Sequence, residues 1–466
     1  MKAKFFGLFL VFVLLFSSVA SAAAQPAEGW GNGSSRVVVM KNGKLPANLQ
    51  AKVQKAGGVI TATIPQLGVA LVSTSNAAFD AQMVKNADVE AVVPNITLSV
   101  FDPPAQEVVE IEVGNPPFSG DDDTRFDLQW GHDAINAPEA WDLGYTGEGV
   151  RVAVLDTGFD LDHPDLAPNI NLALSRSFVP TEGLGYALPD PFSHGTHTAG
   201  TIAAADNAFG TIGVAPDAEL VLLKVLSDEG SGDFFWLLEA IVYAADVEVD
   251  VANMSLGALF EVKALTKEEK TEIKELEMLL SRAANYANKR GTTLIASAGN
   301  DATNLQPSEY LHLPSDARGF ISISATTPIG WATDPLNAFF DYPTSYTNYG
   351  VPAIDLAAPG GDTLYPGNEG CTIAGLLRPC WVFDLVFSTG SNLDPNLASY
   401  YWSGGTSMAA PHVTGVAALV IGKNGGSMNP QKVEAILRQS ADDIDPAGRD
   451  AYTGYGRVNA EAAVQR

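Results

Sequence analysis

Three short stretches of the chain place polar side chains at the edges of apolar segments. The first is Asp156-Thr157-Gly158, directly after Val150-Arg151-Val152-Ala153-Val154-Leu155. In an open parallel sheet, ligands bind beyond the C-terminal strand ends, so a carboxylate at 156 is well placed for chemistry. Gly158 lets the chain turn sharply after it. The plain alternative is a turn aspartate that caps the next segment. Asp-Thr-Gly also occurs in aspartic proteases, but that chemistry needs two carboxylates sharing a proton. The sequence holds no second Asp-Thr-Gly or Asp-Ser-Gly, so only a symmetric dimer could supply one.

The second stretch is Ser193-His194-Gly195-Thr196-His197-Thr198-Ala199-Gly200, which carries two of the six histidines. A zinc site would want both on one helix face with a carboxylate nearby. The glutamate that zinc peptidases place after the first histidine is absent; Gly195 stands there. A general base needs one histidine at a helix start facing a cleft, which suits His194. His197 then reads as a core residue. The third stretch, Gly404 to Val420, opens a long apolar helix with Ser407. Serine caps helices well. It is also a nucleophile when a base lies beside it. At a helix N-terminus its backbone N–H would face a developing oxyanion. With His194 as base and Asp156 orienting the imidazole, the three form a charge-stabilised nucleophilic triad.

Strands and helices must bring these residues together. Residues 36–100 read as β-α-β-β-α-β, the ferredoxin-like α+β motif. Residues 101–125 are Pro-rich and acidic and read as an exposed linker open to proteolytic nicking. From residue 126 to 466, strands such as 151–155, 219–225, 249–256, 293–297 and 320–325 alternate with helical stretches. That alternation argues for an α/β domain with a mostly parallel central sheet and helices on both faces. The mixed-charge run 267–274 reads as a solvated helix face.

The 466 residues carry 54 Asp and Glu against 27 Lys and Arg, a net charge of −27. Phosphate backbones would repel such a surface, which speaks against nucleic acid as a partner. Met1 to Lys4 is basic, Phe5 to Phe16 apolar, and Ser17 to Ala22 small. Residues 1–24 are therefore expected to be a secretory signal peptide. The apolar run is too short to span a bilayer, and no later segment resembles a membrane span. The two cysteines, Cys371 and Cys380, read as one disulfide closing a small loop in a secreted chain, worth roughly 2–3 kcal/mol. A zinc site would want more ligands.

Taken together, six stretches resemble the subtilisin-like serine proteases, the subtilases: VAVLDTGFDLDHPDL (152–166), HGTHTAG (194–200), GVAPDAELVLLKVL (213–226), NMSLG (253–257), ASAGN (296–300) and GTSMAAPHVTGVAAL (405–419). The chain order Asp, His, Ser is that of subtilisin. The resemblance implies a subtilisin-like three-layer domain over residues 126–466. Residues 36–100 resemble the family's inhibitory propeptide. It further implies a secreted serine endopeptidase, extracellular or periplasmic, made as a self-processed precursor with the processing site in 101–125. A monomer acting on proteins or peptides is expected, with no membrane association after signal removal.

Residue by residue, Asn300 matches the family's side-chain oxyanion donor, and loss of such a donor costs ~2.7–4 kcal/mol of transition-state stabilisation. Ser255, Leu256 and Gly257 match one substrate-pairing segment; Gly230, Ser231 and Gly232 resemble the opposing one. Main-chain pairing of this kind is independent of side chains, so broad specificity is expected. Calcium is the implied cofactor. Asp165 and Asn207 stand at side-chain ligand positions, and the carbonyls of Ala205, Phe209 and Thr211 would complete an oxygen shell. The family's further ligand near the mature N-terminus has no match around Arg125 to Leu128. The chain departs from the pattern in a long stretch between Gly361 and Tyr401, where packing is the expected role. Asp301 and His312, in the wall beyond Asn300, are further departures.

Overall fold

The computed structural model describes residues 34–100, 106–108, 121–395, 397–444 and 447–466. The signal-peptide expectation falls outside the described residues, as does most of the expected processing region.

The N-terminal unit has the expected order: β1 (Ser35–Met40), α1 (Leu49–Lys55), β2 (Gly58–Ile64), β3 (Val69–Thr74), α2 (Phe79–Met83) and β4 (Val89–Pro94). Its sheet runs β2-β3-β1-β4, with every neighbour antiparallel. Period-two alternation divides each strand between two cores. Val38 and Met40 face Leu49, Val53, Phe79 and Met83 of the unit's own helices. Val37 and Val39 face outward, into a second core shared with the rest of the chain.

After β4, β5 (Thr97–Ser99) and β6 (Gln106–Val108) leave the unit. Two short helices, α3 (Trp130–Ala134) and α4 (Ala137–Asp142), lead into the main body. Its first strands are β7 (Arg151–Asp156) and β8 (Arg176–Ser177). Helix α5 (His194–Ala203), β9 (Glu219–Lys224), β10 (Ser231–Asp233) and α6 (Phe234–Asp246) follow. Next come β11 (Val251–Met254), β12 (Ala258–Glu261), α7 (Lys267–Asn288), β13 (Thr293–Ser297), β14 (Tyr310–Leu313) and β15 (Phe320–Thr327). The central sheet runs β15-β13-β11-β7-β9-β8, all parallel. A short antiparallel strand, β16 (Tyr342–Pro343), flanks β15, and β17 (Leu356–Pro359) joins β15 in parallel.

Beyond β17, β18 (Gly370–Ile373) and β19 (Leu376–Pro379) form a hairpin clipped by the Cys371–Cys380 disulfide. Then come β20 (Val386–Thr389), β21 (Tyr400–Ser403) and α8 (Thr406–Lys423). The extra stretch 361–401 joins a separate core, in which Phe383, Leu385, Phe387 and Tyr400 pack with Trp402 against Trp130. This is the packing role expected from the sequence.

Both faces of the sheet are covered. On one, α5 and α8 pack together over Val152, Val154, Leu220, Leu222 and Ile295. On the other, α6 and α7 cover Ala153, Leu155, Val221 and Leu223. Their outer sides receive Val37, Val39, Val69 and Val93 of the N-terminal unit. Helix α7 starts with a capping box between Thr266 and Glu269. This arrangement satisfies both helix-end donors, as such boxes do. Along α7, Ile273, Leu276, Leu279, Leu280, Ala283 and Ala284 form the buried stripe. Arg282 joins the unit by an ion pair to Glu90 at 2.8 Å.

One boundary needs correction. The linker 101–125 does not run exposed to its end. Asp123 is fully buried and Arg125 nearly so. Asp123 Oδ1 accepts the backbone N–H groups of Asn207 (3.4 Å) and Phe209 (3.0 Å), and Arg125 N–H donates to Gly210 at 2.7 Å. Further upstream, β6 pairs with β21 as an edge strand. An acidic run looks solvated in sequence, but backbone donors more than 80 residues away take its last residue, Asp123, inside.

Candidate active site

Asp156 ends β7 and has no exposed surface. Its Oδ1 accepts the Thr157 N–H at 2.7 Å and His194 Nδ1 at 2.6 Å. Its Oδ2 accepts the Thr198 hydroxyl at 3.1 Å. A carboxylate only accepts, so Nδ1 carries the proton and Nε2 is the basic nitrogen. His194 is held by the start of α5. Ser193 caps the helix by accepting the Thr196 N–H at 3.2 Å and donates to the Gly158 carbonyl at 2.8 Å. Gly195 is required by close approach: a Cβ there would lie 2.8 Å from the Phe159 ring and 3.0 Å from the Gly158 oxygen. His197, three residues on, hydrogen-bonds the Val386 carbonyl at 3.2 Å and packs against Tyr401 with ring centroids 4.5 Å apart and planes tilted by 50°. It is a packed core residue, as the sequence suggested.

Ser407 is the second residue of α8, 3% exposed. Its carbonyl accepts the Ser255 hydroxyl at 2.8 Å, and its Oγ lies 3.5 Å from the Ser255 carbonyl. Asn253 Nδ2 donates to Ser255 Oγ at 3.0 Å, and Thr414 donates to Asn253 Oδ1 at 3.1 Å. This chain ties the first turns of α8 to the end of β11. Asn300 Oδ1 accepts both the N–H (2.9 Å) and the hydroxyl (2.8 Å) of Thr406. The amide orientation is thereby fixed, with Nδ2 as the donor on the opposite side.

The two expected substrate-pairing segments hold a strand of the chain itself. β5 pairs antiparallel with β10, Ser99 opposite Ser231 and Leu98 opposite Gly232. Val100 N–H donates to the Gly230 carbonyl at 3.0 Å. On the other side Ser99 and Gly257 exchange both backbone bonds, at 3.1 and 3.0 Å. Residues 97–100 thus lie extended between 230–233 and 255–257. Gly230 adopts φ +83°, and a Cβ there would come within 2.9 Å of the Val100 side chain. Leu256 turns its side chain into the core; only its backbone borders the groove.

The expected cation residues lie together around Asp165, which is buried. Its Oδ2 accepts the Thr211 N–H (2.8 Å), the Thr211 hydroxyl (3.2 Å) and the Tyr400 hydroxyl (3.0 Å). Ala205 N–H donates to the Asp165 carbonyl at 2.7 Å, and Asn207 Nδ2 approaches the Pro164 carbonyl at 3.5 Å. The Phe209 side chain points outward. Asp165 Oδ1 is buried with no hydrogen bond among the described residues. Burial pushes this carboxyl up to about 7. Sequence reasoning missed Asp121, Asp122 and Asp123, whose carboxylate oxygens lie within 4.8 Å of one another and of Asp206. Asp123, raised to about 8 by burial and by Asp121, sits on the same 205–211 loop. The run of three aspartates was the available signal.

Residues 147–456 match the profile of the subtilase family, Peptidase S8. The chain belongs to this family. Subtilisin Savinase of Lederbergia lenta is 34% identical over 340 residues, 72% of this subtilase and 99% of the relative. Subtilisin E of Bacillus subtilis strain 168 is 29% identical over 464 residues, 99% of this chain and 97% of that one. That match takes in the N-terminal unit as well as the body. Among solved structures, fervidolysin from Fervidobacterium pennivorans superposes with a TM-score of 0.67 at 23% identity, over 93% of this chain. The chain spans 61% of the fervidolysin chain, and the likeness shows a shared fold. Family membership supports a serine-type endopeptidase.

Proposed function

We propose that this subtilase is a secreted serine endopeptidase that cleaves extended peptide segments through an acyl-enzyme. The observation that carries the reading is the buried Asp156–His194 pair, which leaves Nε2 as a base at the mouth of the strand-end cleft. Ser407 Oγ attacks the peptide carbonyl carbon and gives its proton to His194 Nε2. Asp156 stabilises the imidazolium. The Ser407 N–H, in the first turn of α8, and Asn300 Nδ2 stabilise the oxyanion. His194 then protonates the leaving amine, the carbon–nitrogen bond breaks, and an ester to Ser407 remains. Water, deprotonated by the same imidazole, hydrolyses the ester and returns the proton to Ser407.

The N-terminal unit acts as the intramolecular inhibitor in this reading. Its segment 97–100 fills the groove by main-chain bonds that a substrate would make. Such bonds do not depend on side chains, which supports acceptance of many sequences. Self-cleavage within 101–125 releases the body. Export by residues 1–24 agrees with the disulfide, which persists in oxidising compartments. No helix among the described residues is long and apolar enough to cross a membrane. A fluorophosphonate is expected to add one mass increment per chain at Ser407 and to stop hydrolysis of unfolded casein. Absence of labelling in a processed, folded preparation would falsify the reading.

Calcium suits the donors around Asp165. Its buried, unbonded Oδ1 and the carbonyls of Ala205, Phe209 and Thr211 with Asn207 form an all-oxygen set, which hard cations prefer. The ion would neutralise buried carboxylate charge and fix the loop 205–211 on which Asp123 rests. Removing calcium with a chelator is expected to lower the thermal midpoint by roughly 5–15 °C. If Asp165→Asn abolishes that difference and Asp122→Asn keeps it, the ion sits on the loop. The reverse places it on the aspartate cluster. No chelator effect in the parent protein removes calcium from the account.

A further inference from the structure

His312 lies in β14, opposite Leu259 of β12. Its backbone N–H donates to Asp316 Oδ2 at 2.8 Å. Its ring edge is wedged between two glycines. A Cβ on Gly257 would come within 2.5 Å of His312 Nε2, and one on Gly299 within 2.8 Å of Nε2 and Cδ2. These glycines belong to the site. Gly257 exchanges both backbone bonds with Ser99 in the groove, and Gly299 directly precedes Asn300. Ser255, two residues before Gly257, bonds the Ser407 carbonyl. The imidazole therefore occupies the gap between the peptide-pairing edge and the oxyanion side of the cleft.

The ring is oriented by Ser315. Its hydroxyl donates to the His312 carbonyl at 3.4 Å, and its Oγ lies 2.8 Å from His312 Nδ1. The 2.8 Å contact is made either by Nδ1–H donating to Oγ, with the lone pair on Nε2, or by Oγ–H donating to Nδ1, with the proton on Nε2. His312 is 4% exposed, and the ring nitrogen engaged by Ser315 is Nδ1. Burial pushes the group down to about 4, against the pull of Asp301, so the ring is neutral at neutral pH.

We propose that His312 sets the residue preference of the groove: the side chain entering between Gly257 and Gly299 must be short, and a hydroxyl, which can donate to or accept from Nε2, is favoured over a long apolar group. A bare gap between two glycines would admit a flat aromatic or a leucine. The imidazole closes that depth and offers a polar nitrogen instead. The inference rests on the reading of this groove as the substrate site.

The test compares the parent with His312→Gly and His312→Ser on peptides that differ only at the residue before the scissile bond: Ala, Ser, Thr, Leu and Phe. Phosphonate labelling of Ser407 and the thermal midpoint are followed in all three. The parent is expected to favour Ser, Thr and Ala over Phe and Leu by at least about tenfold in kcat/KM, within the range a pocket contact supplies. His312→Gly is expected to reverse the order, mainly through KM, and His312→Ser to fall between. Labelled enzyme that prefers Phe or Leu, or variants with the parent's profile, would overturn the proposal alone. No labelling and no cleavage would overturn it together with the protease reading. If His312→Gly fails to fold, the parent and His312→Ser still decide.

Discussion

Ser407→Ala is expected to leave the precursor at full mass and to lower turnover of an external peptide by about 10⁶-fold, the loss seen when a serine nucleophile is removed while its base and oxyanion donors stay. The substitution takes away only Oγ, which among the described residues donates a long hydrogen bond to the Ser255 carbonyl at 3.5 Å. The fixing bond of this turn, from Ser255 Oγ to the Ser407 carbonyl, uses the backbone and survives. The fold is therefore expected to hold, and the thermal midpoint should move by no more than a few degrees. Intact mass of parent and variant, expressed side by side, is the measurement. Shortening of the parent alone identifies self-processing through Ser407. Equal shortening of both assigns processing to another protease, and the turnover ratio then judges Ser407 by itself.

Asp156→Asn is expected to cost about 10⁴-fold in kcat at neutral pH, as in other triads. Three donors converge on this carboxylate: Thr157 N–H, His194 Nδ1–H and the Thr198 hydroxyl. An amide keeps one oxygen and adds two N–H donors, so one of those donors must turn away or His194 must change tautomer. Either way the imidazolium formed during the reaction loses its neighbouring charge. Thr198 has an alternative acceptor in the Gly195 carbonyl at 3.1 Å, so Thr198→Val is the mild control. A kcat for Asp156→Asn within tenfold of the parent would make the pair structural.

Much of this was legible in the sequence because it is local. The alternating valines of 37–39 must face opposite ways in a strand, and the structure sends them to two different cores. Asp156 follows a run of buried-strand residues without a break, so its place at a strand end needed no tertiary information. Ser193 beside His194 has a short-range reason, the cap on Thr196, whereas Gly195 is required by Gly158 and Phe159, which only the tertiary fold brings near. What was missed depends on distant partners. The acidic stretch 121–123 has the composition of a loop, and only the backbone donors of Asn207 and Phe209 bring Asp123 inside. His312 lies 12 and 55 residues beyond the stretches that end at Asn300 and Gly257, by no fixed rule of spacing; it reaches the gap because β14 pairs with β12. The sequence flagged its type but could not supply that register.

Strand β6 ties the connecting segment to β21 on one side, while β20 occupies the other. In the proposed precursor, the position of the cut decides who keeps that strand. A cut before Gln106 leaves it with the body, and β21 retains two neighbours. A cut after Val108 removes it, and β21 becomes an open edge whose N–H and C=O groups can recruit another chain. Two ripened forms with the same turnover would then differ in shelf life: one stays dispersed in concentrated solution, and the other clumps.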